Sequence, residues 1–319
     1  AGGAIPATAG KWLVIGIPTV PRVNHDNLLG QVVESIVSQL PTDPHDPFYG
    51  QVLLVVVNLH ASVAEHRRFH EAKSKYGRGT PAADHVHFTD EIEALPDPHT
   101  KKKKDNGSAN KPGHKVRKQT RDIAVVLRAI DVTAKYFMFL EDDMTLCDNG
   151  IQSIRHLLER GEAYSSDWIA IRASFGMNGI FMRGYDLPVF ADYLVEHQAR
   201  RPPDHLVVEW FAGEVPQSAK YKQQRGHFGF RYNLFDHLGK KSTLRSHEAK
   251  EMPMCYETLT FPILFLIESF KPNECPMDDL WPCPKTPAKP WVDRIPAQYR
   301  EGLKAKSERM NKKKSKRRG

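Results

Sequence analysis

The sequence lacks an apolar run long enough to cross a membrane. A spanning helix needs about 20 apolar residues, and the longest run here, residues 261–267, is only long enough for a core strand. The first ten residues are small and have no apolar centre of the signal-peptide kind. With 40% hydrophobic and 26% charged residues, the composition is that of a soluble globular protein. We expect the soluble part of a longer chain.

Cysteine is also scarce. The chain has four cysteines, and no two have the spacing of a zinc site. Cys275 and Cys283 flank a loop-like stretch that a disulfide could close, whereas Cys147 and Cys255 stand apart. Asn106 begins a glycosylation sequon, which favours the lumen of the secretory pathway.

The body of the chain lacks any excess of positive charge. The net charge is +8, and residues 304–318 account for all of it with nine cations and one carboxylate. This distribution excludes the usual basic surface for a nucleic-acid polymer. We expect residues 303–319 to form a basic, solvated and disordered tail.

Apolar runs and helical periodicities alternate along the chain. The predicted strands and helices of the first third occupy residues 12–19, 28–40, 51–58, 61–76 and 86–88. This alternation is typical of a parallel, nucleotide-binding type of sheet. After a polar segment at 100–115, predicted as a loop or insertion, helices are expected at 116–133, 151–160 and 187–198, with strands at 136–140, 168–172 and 178–182.

Three consecutive carboxylates follow the apolar strand at residues 136–140. Glu141, Asp142 and Asp143 cannot stay buried there unless a cation meets them. The C-terminal edge of a parallel strand is where open α/β sheets bind ligands. Oxygen ligands suit Mg²⁺ or Mn²⁺, and such a cation usually serves a phosphate-bearing substrate. The alternative is an acidic loop that caps the next helix.

Four motifs stand in a characteristic order. They are Ile15-Gly16-Ile17-Pro18-Thr19-Val20-Pro21-Arg22, Lys118-Gln119-Thr120-Arg121-Asp122, Leu140-Glu141-Asp142-Asp143-Met144, and Phe230-Arg231-Tyr232-Asn233-Leu234-Phe235-Asp236-His237-Leu238-Gly239, followed by Ser242-Thr243-Leu244. Across residues 12–244 this set resembles the N-acetylglucosaminyltransferase IV family, enzymes that build the β-1,4 GlcNAc branch on the α-1,3 mannose arm of N-glycans.

The resemblance implies a GT-A (Rossmann-like) α/β fold with a mixed, mostly parallel sheet flanked by helices. A catalytic domain at 11–250 would carry a C-terminal extension, 251–302, packed on it. It also implies inverting, metal-dependent transfer of GlcNAc from UDP-GlcNAc to a mannose of an N-glycan. The protein would work in the Golgi lumen as a type II membrane protein, attached only through a segment outside this sequence.

Two alternatives keep the same fold. One uses another UDP-sugar, GalNAc or Gal, on a different glycan or a glycolipid. The other is a catalytically silent, glycan-binding homologue.

The resemblance also implies roles for the acidic cluster. Asp143 and His237 would bind Mn²⁺ or Mg²⁺, and an imidazole beside a carboxylate favours Mn²⁺ over Ca²⁺. Asp142 would face hydroxyls of the donor ribose or sugar, and Glu141 would complete the triplet.

An inverting transfer needs a carboxylate that deprotonates the acceptor hydroxyl. By the resemblance, Asp204, at a predicted helix start, stands where related GT-A GlcNAc-transferases place this base, although a plain N-cap is its alternative role. Glu209 is the rival for the base.

Three basic residues of these motifs could contact the donor. Arg22 could contact uracil or phosphate, and Lys118 and Arg121 could neutralise the diphosphate. Asp122 could instead pair locally with one of them. Pro18, Thr19 and Gln119 complete the predicted donor-binding set. The other histidines show no ligand spacing and are expected at the surface.

Overall fold

The computed structural model of the chain describes residues 4–22, 27–60, 62–99, 111–239, 252–260, 265–283 and 294–316. The sequon at Asn106, most of the predicted loop at 100–115 and the motif at 242–244 lie outside these ranges. The strands are β1 (Leu13–Thr19), β2 (Val52–Asn58), β3 (Val86–Thr89), β4 (Tyr136–Phe139), β5 (Met144–Leu146), β6 (Ala170–Arg172), β7 (Ile180–Arg183), β8 (His227–Phe230), β9 (Phe235–His237) and β10 (Leu280–Trp281).

Eight helices occupy the described ranges. They are α1 (Leu28–Val37), α2 (Arg67–Tyr76), α3 (His114–Ala129), α4 (Gly150–Tyr164), α5 (Leu187–His197), α6 (Pro203–Ala212), α7 (Pro216–Lys222) and α8 (Ala297–Lys316). None of the helices in the part of the chain that the structure describes is long and apolar enough to span a membrane.

The main sheet has eight strands in the order β10-β8-β6-β7-β4-β1-β2-β3. The pairs β1–β2, β1–β4, β2–β3 and β6–β8 are parallel, and the other three pairs are antiparallel. The predicted α/β class with a mixed, mostly parallel sheet is confirmed. Antiparallel β7 lies between β4 and β6, so β4 and β6 run in the same direction.

Helices cover both faces of this sheet. In β1, Leu13 and Ile15 pack on the side of α1, α2 and α4, while Val14 packs on the side of α3, α5 and α6. Successive side chains of a strand point to opposite faces, and both faces here are buried. This arrangement explains why the central strands are uniformly apolar rather than alternating.

A second, two-stranded sheet was not predicted. β5 follows the acidic triplet directly and pairs antiparallel with β9, so that Met144 lies opposite His237 and Leu146 opposite Phe235. Three-residue strands give too little periodicity to be recognised in a sequence. This small sheet joins two motifs that lie almost a hundred residues apart.

The cysteines form two disulfides. Cys275 bonds to Cys283, as the loop between them allowed. Cys147 bonds to Cys255 across 108 residues, so the expectation that these two stand apart was wrong. This bond ties the segment after β5 to residues 252–260.

The C-terminal part also differs from expectation. Helix α8 runs through most of the predicted disordered tail. Its first turns dock on the body, where Tyr299 and Leu303 pack against the core and Lys306 pairs with Glu257 at 2.7 Å. Leu266, in the described part of the apolar run at 261–267, is 68% exposed and lies in a short 3-10 helix rather than a core strand.

Candidate functional site

The acidic triplet lies where β4 ends beside β1. The amide of Leu140 still donates to the carbonyl of Gly16 in β1, and the chain then turns through the three carboxylates into β5. Asp142 and Asp143 are only 7% and 6% exposed. The triplet therefore occupies the C-terminal edge of two parallel strands, and its charges need a partner.

Arg22 is that partner. Its Nη2 contacts Asp142 and lies 3.0 Å from Oδ2 of Asp143. Burial raises the pKa of Asp142, and Arg22 together with the hydroxyl of Thr19, which donates at 2.6 Å, offsets part of that effect. Burial opposes the charge on Arg22, but the two carboxylates outweigh it and raise its pKa.

The β5–β9 pairing brings His237 to the same carboxylate. Its Nε2 lies 3.4 Å from Oδ2 of Asp143, and the amide of Leu238 donates to the carbonyl of Asp143 at 2.9 Å. Burial disfavours the ionised form of Asp143, but His237 and Arg22 prevail and lower its pKa. The interaction with Asp143 raises the pKa of His237 against the effect of burial. The two predicted metal ligands are thus neighbours.

The residues fit a divalent cation only in part. Oδ1 of Asp143 is buried and accepts no hydrogen bond from the described residues, which leaves a free ligand atom. Within the described ranges, no group of three or more His, Cys, Asp or Glu side chains is arranged to hold a metal. Mg²⁺-type sites commonly use one or two protein ligands together with substrate phosphates. Asp143 and His237 fit such a shared site.

Asn178 is a site residue that the sequence reasoning missed. Its amide exchanges two hydrogen bonds with Glu141, each 2.8 Å long, one to the side chain and one from the backbone. Burial and the charge of Asp143 raise the pKa of Glu141 to about 7. Asn178 is 2% exposed, and a polar residue just before a buried strand was the available signal.

A cavity of about 220 Å³ opens beside Asp142. Its lining combines residues that follow β1 with residues around the start of α2: Thr19, Val20, Pro21, Arg22, Leu28, Leu29, Glu65, His66, Arg67, Arg68 and Asp142. Three of these are arginines and two are carboxylates, so the lining carries a small excess of positive charge that suits an anionic ligand. Of the predicted donor-binding residues, Thr19, Arg22 and Asp142 line it.

His66 lines this cavity next to Thr19. Its Nε2 lies 2.9 Å from the hydroxyl of Thr19. Because Thr19 donates its only proton to Asp142, Nε2 of His66 must carry the proton between them. Burial lowers the pKa of His66 to about 4, with His60 and His70 adding to the effect. His66 and His85 are buried, so the prediction that the remaining histidines lie at the surface was wrong.

The predicted diphosphate-binding residues of α3 divide into two groups. Lys118 pairs with Asp122 at 2.6 Å, as the local alternative predicted, and its Nζ lies 3.4 Å from the carbonyl of Leu59, just after β2. Arg121 is buried and bonds to Asp97, Gln198 and the carbonyl of Leu95. These contacts hold Arg121 in the fold rather than in the acidic cluster. Gln119 is partly exposed on the same helix.

Glu209 does not have the geometry of a general base. It is 1% exposed, accepts a hydrogen bond from Tyr193, and pairs with Arg200 and, at 3.0 Å, with Arg201. Burial raises its pKa, but the arginines and Tyr193 prevail and lower it. A carboxylate enclosed in this way has no open side for an acceptor hydroxyl.

Asp204 is more accessible. Pro202 is the N-cap of α6, so the alternative role of Asp204 as N-cap was wrong. One carboxylate oxygen of Asp204 accepts from the amide of His205 at 3.0 Å. No cation in the part of the chain that the structure describes forms a salt bridge with it.

Arg172 and the loop at residues 173–179 each lie close to one of the predicted site residues. Arg172 ends β6 at the same sheet edge as the triplet and donates to the carbonyl of Gly176 at 3.1 Å. Burial lowers the pKa of Arg172, while its partner Glu268 and the nearby charge of Asp204 oppose that effect. Phe175, in the same loop, meets the ring of His237 edge-on at 6.5 Å. Asp204 therefore belongs to the same end of the sheet.

Two sequence comparisons bear on this site. The chain is 28% identical over 158 residues to alpha-1,3-mannosyl-glycoprotein 4-beta-N-acetylglucosaminyltransferase C of Mus musculus, covering 48% of this chain and 31% of the mouse protein. It is 27% identical over 147 residues to the same-named protein of Macaca fascicularis, covering 46% and 29%. The chain is similar to glycosyltransferases. It spans less than a third of the length of these curated relatives.

The other comparisons add little. No protein-family model matches the chain. The apo crystal structure of mouse xyloside xylosyltransferase 1 aligns with 65% of this chain and 83% of its own at 12% identity and a TM-score of 0.35. A likeness at this level carries no argument about fold or function.

Proposed function

We propose that the chain is a metal-dependent, inverting glycosyltransferase of the GT-A type. It transfers GlcNAc from UDP-GlcNAc to a mannose of an N-glycan. The observation that carries the proposal is the meeting of Asp143, His237 and Arg22 at the C-terminal edge of β1 and β4, beside an anion-suited cavity. The named activity of the sequence relatives supports the donor and acceptor.

Asp143 and His237 would hold Mn²⁺ or Mg²⁺. When bound, the cation stabilises the charge that grows on the diphosphate leaving group. Arg22 lines the cavity and would supply a guanidinium that matches a diphosphate. Asp142, which accepts a hydrogen bond from Thr19, would face hydroxyls of the donor. Lys118 adds positive charge near the end of β2.

Asp204 would act as the general base. Inversion requires the acceptor hydroxyl to lose its proton as its oxygen attacks the anomeric carbon and the bond to the diphosphate breaks. The proton passes to the carboxylate of Asp204, which carries no salt bridge to any cation within the described ranges and is half-exposed at the start of α6. Glu209 lacks this access.

The disulfides support a secretory location. Disulfides persist in oxidising compartments and are rare in the cytosol, and the described residues include two of them. Together with the proposed N-glycan acceptor, they favour the Golgi lumen.

A screen of UDP-sugars tests the proposal. With Mn²⁺ present, UDP-GlcNAc should stabilise the fold and be transferred to a mannose-terminated N-glycan acceptor, and ligand at 100 times its Kd should add about 2.7 kcal/mol. Asp143→Asn should abolish transfer, whereas Asp236→Asn, an exposed neighbour of His237 on β9, should not. Turnover of UDP-GalNAc or UDP-Gal in place of UDP-GlcNAc would show that the donor is a different UDP-sugar. Binding without any turnover would contradict the enzymatic assignment.

A further inference from the structure

Arg22 contacts the same oxygen of Asp143 that faces His237. Nη2 of Arg22 bridges Asp142 and Asp143 and lies 3.0 Å from Oδ2 of Asp143. The same oxygen lies 3.4 Å from Nε2 of His237. The guanidinium and the imidazole thus approach the same carboxylate oxygen, which is the atom of Asp143 that faces His237.

Apart from the two carboxylates, Arg22 has few groups that it could contact. Its side chain is only 18% exposed, and its Nε is buried without a hydrogen bond to the described residues. It also lines the cavity of about 220 Å³ beside Asp142. A group of negative charge in that cavity is therefore within reach of an unused donor on Arg22.

A cation held between Oδ2 of Asp143 and Nε2 of His237 would lie beside the guanidinium of Arg22, because both groups approach that oxygen. Two positive charges around one carboxylate oxygen repel each other in a poorly solvated site. Gly239 leaves little free space, since a Cβ at this position would come within 2.4 Å of Oδ2 of Asp143. At Oδ2, unlike at the unpaired Oδ1, the cation and the guanidinium of Arg22 therefore compete.

Resting on the proposed function, we infer that Arg22 is an internal counter-ion that couples metal binding to donor binding. Without the donor, Arg22 holds the carboxylates and weakens their affinity for the cation. A diphosphate in the cavity draws the guanidinium from Asp143, and the cation then binds to Asp143, His237 and the phosphate. The coupling is reciprocal, so the metal strengthens diphosphate binding by the same factor.

The test measures Mn²⁺ binding by the electron paramagnetic resonance signal of free Mn²⁺, with and without UDP. In Arg22→Gln without UDP, Mn²⁺ should bind about tenfold more tightly than in the wild type, because a charge-assisted hydrogen bond no longer competes. UDP should raise Mn²⁺ affinity in the wild type, and this enhancement should shrink about tenfold in the variant.

Arg67→Gln is the matched control. Arg67 lines the same cavity and carries the same charge, but its side chain is 80% exposed and it pairs with Glu71. Without UDP, its loss should change Mn²⁺ affinity less than twofold. An equal gain in both variants would show a general electrostatic effect and overturn the inference.

The outcomes separate the inference from the proposed function. If the wild type binds no Mn²⁺ even with UDP, the metal-dependent function is wrong. If the wild type binds Mn²⁺ but Arg22→Gln binds it no more tightly, only the role of Arg22 is wrong. Should Arg22→Gln fail to fold, Arg22→Lys, which keeps the charge but not the fork of donors, should show an intermediate enhancement by UDP. Full wild-type enhancement in Arg22→Lys would contradict the inference.

Discussion

Gly239 offers a test of the metal site that leaves every proposed ligand in place. A Cβ added at this position would lie 2.4 Å from Oδ2 of Asp143 and 3.1 Å from Nε2 of His237. Ordinary contacts between such atoms are about 3.5–4 Å, so Gly239→Ala must move the carboxylate or the ring by roughly 1 Å. The two groups that must share the cation are then separated or misdirected.

A displacement of about 1 Å at a reacting site can cost about 100-fold in rate. We expect Gly239→Ala to lose about that factor in Mn²⁺-dependent transfer and to bind Mn²⁺ more weakly in the presence of UDP. Global stability should change by about 1 kcal/mol or less, because the added methyl group meets the polar side chains of Asp143 and His237 rather than apolar core residues. Mn²⁺ titrations, transfer assays and urea unfolding measure the three quantities.

Gly302→Ala is the control for the added methyl group. Gly302 lies in α8, where its Cβ would meet only the flexible end of Met254 at 3.2 Å, and alanine favours a helix. This variant should retain transfer and gain or keep stability. Wild-type Mn²⁺ affinity and turnover in Gly239→Ala would refute the geometry described for Asp143 and His237.

Three further predictions concern the base, the buried histidine and the long disulfide. Asp204→Asn should keep UDP binding and lose transfer by about 100-fold or more. Glu209→Gln should retain transfer and lower the free energy of unfolding by about 1–3 kcal/mol. Retained transfer in Asp204→Asn with loss of transfer in Glu209→Gln would assign the base to Glu209. The folded pKa of His66, about 4, lies below its ordinary value of 6.5, so the unfolded state binds more protons between these values. Stability should therefore be complete above pH 6.5 and fall by up to about 3 kcal/mol toward pH 4, and urea unfolding of His66→Gln should show a shallower fall. Replacing Cys147 and Cys255 by alanine should cost about 4–5 kcal/mol, since the bond closes a loop of 108 residues; thermal unfolding at the wild-type temperature would contradict this.

The sequence predicted the elements whose signals are local. The strands β1, β2 and β4 are apolar runs bounded by polar or turn residues, and their parallel class follows from the intervening helices. Helix ends were less well predicted: α2 begins at Arg67 rather than at residue 61, because a short 3-10 helix, Val63–Glu65, comes first. Periodicity cannot distinguish such a turn from the start of the helix.

The sequence predicted the site residues that a run of charges or a motif marks. It did not predict the site contacts that depend on the packing of distant segments. Three carboxylates after an apolar strand are conspicuous, and the structure adds Arg22 as their counter-ion. The burial of His66 and the pairing of Asn178 with Glu141 depend on contacts between distant segments. A single sequence carries no sign of those contacts. The burial of Arg121 escaped prediction for the same reason.

Asp143 and His237 are proposed to bind one divalent cation together with the donor diphosphate. Pulsed electron paramagnetic resonance of Mn²⁺ in the complex with UDP measures this arrangement directly. We expect nitrogen coupling from an imidazole and phosphorus coupling from the diphosphate on the same ion. The nitrogen coupling should disappear in His237→Gln. Bound Mn²⁺ with phosphorus coupling but no imidazole coupling in the wild type, or an imidazole coupling that persists in His237→Gln, would show that His237 is not a ligand of the cation.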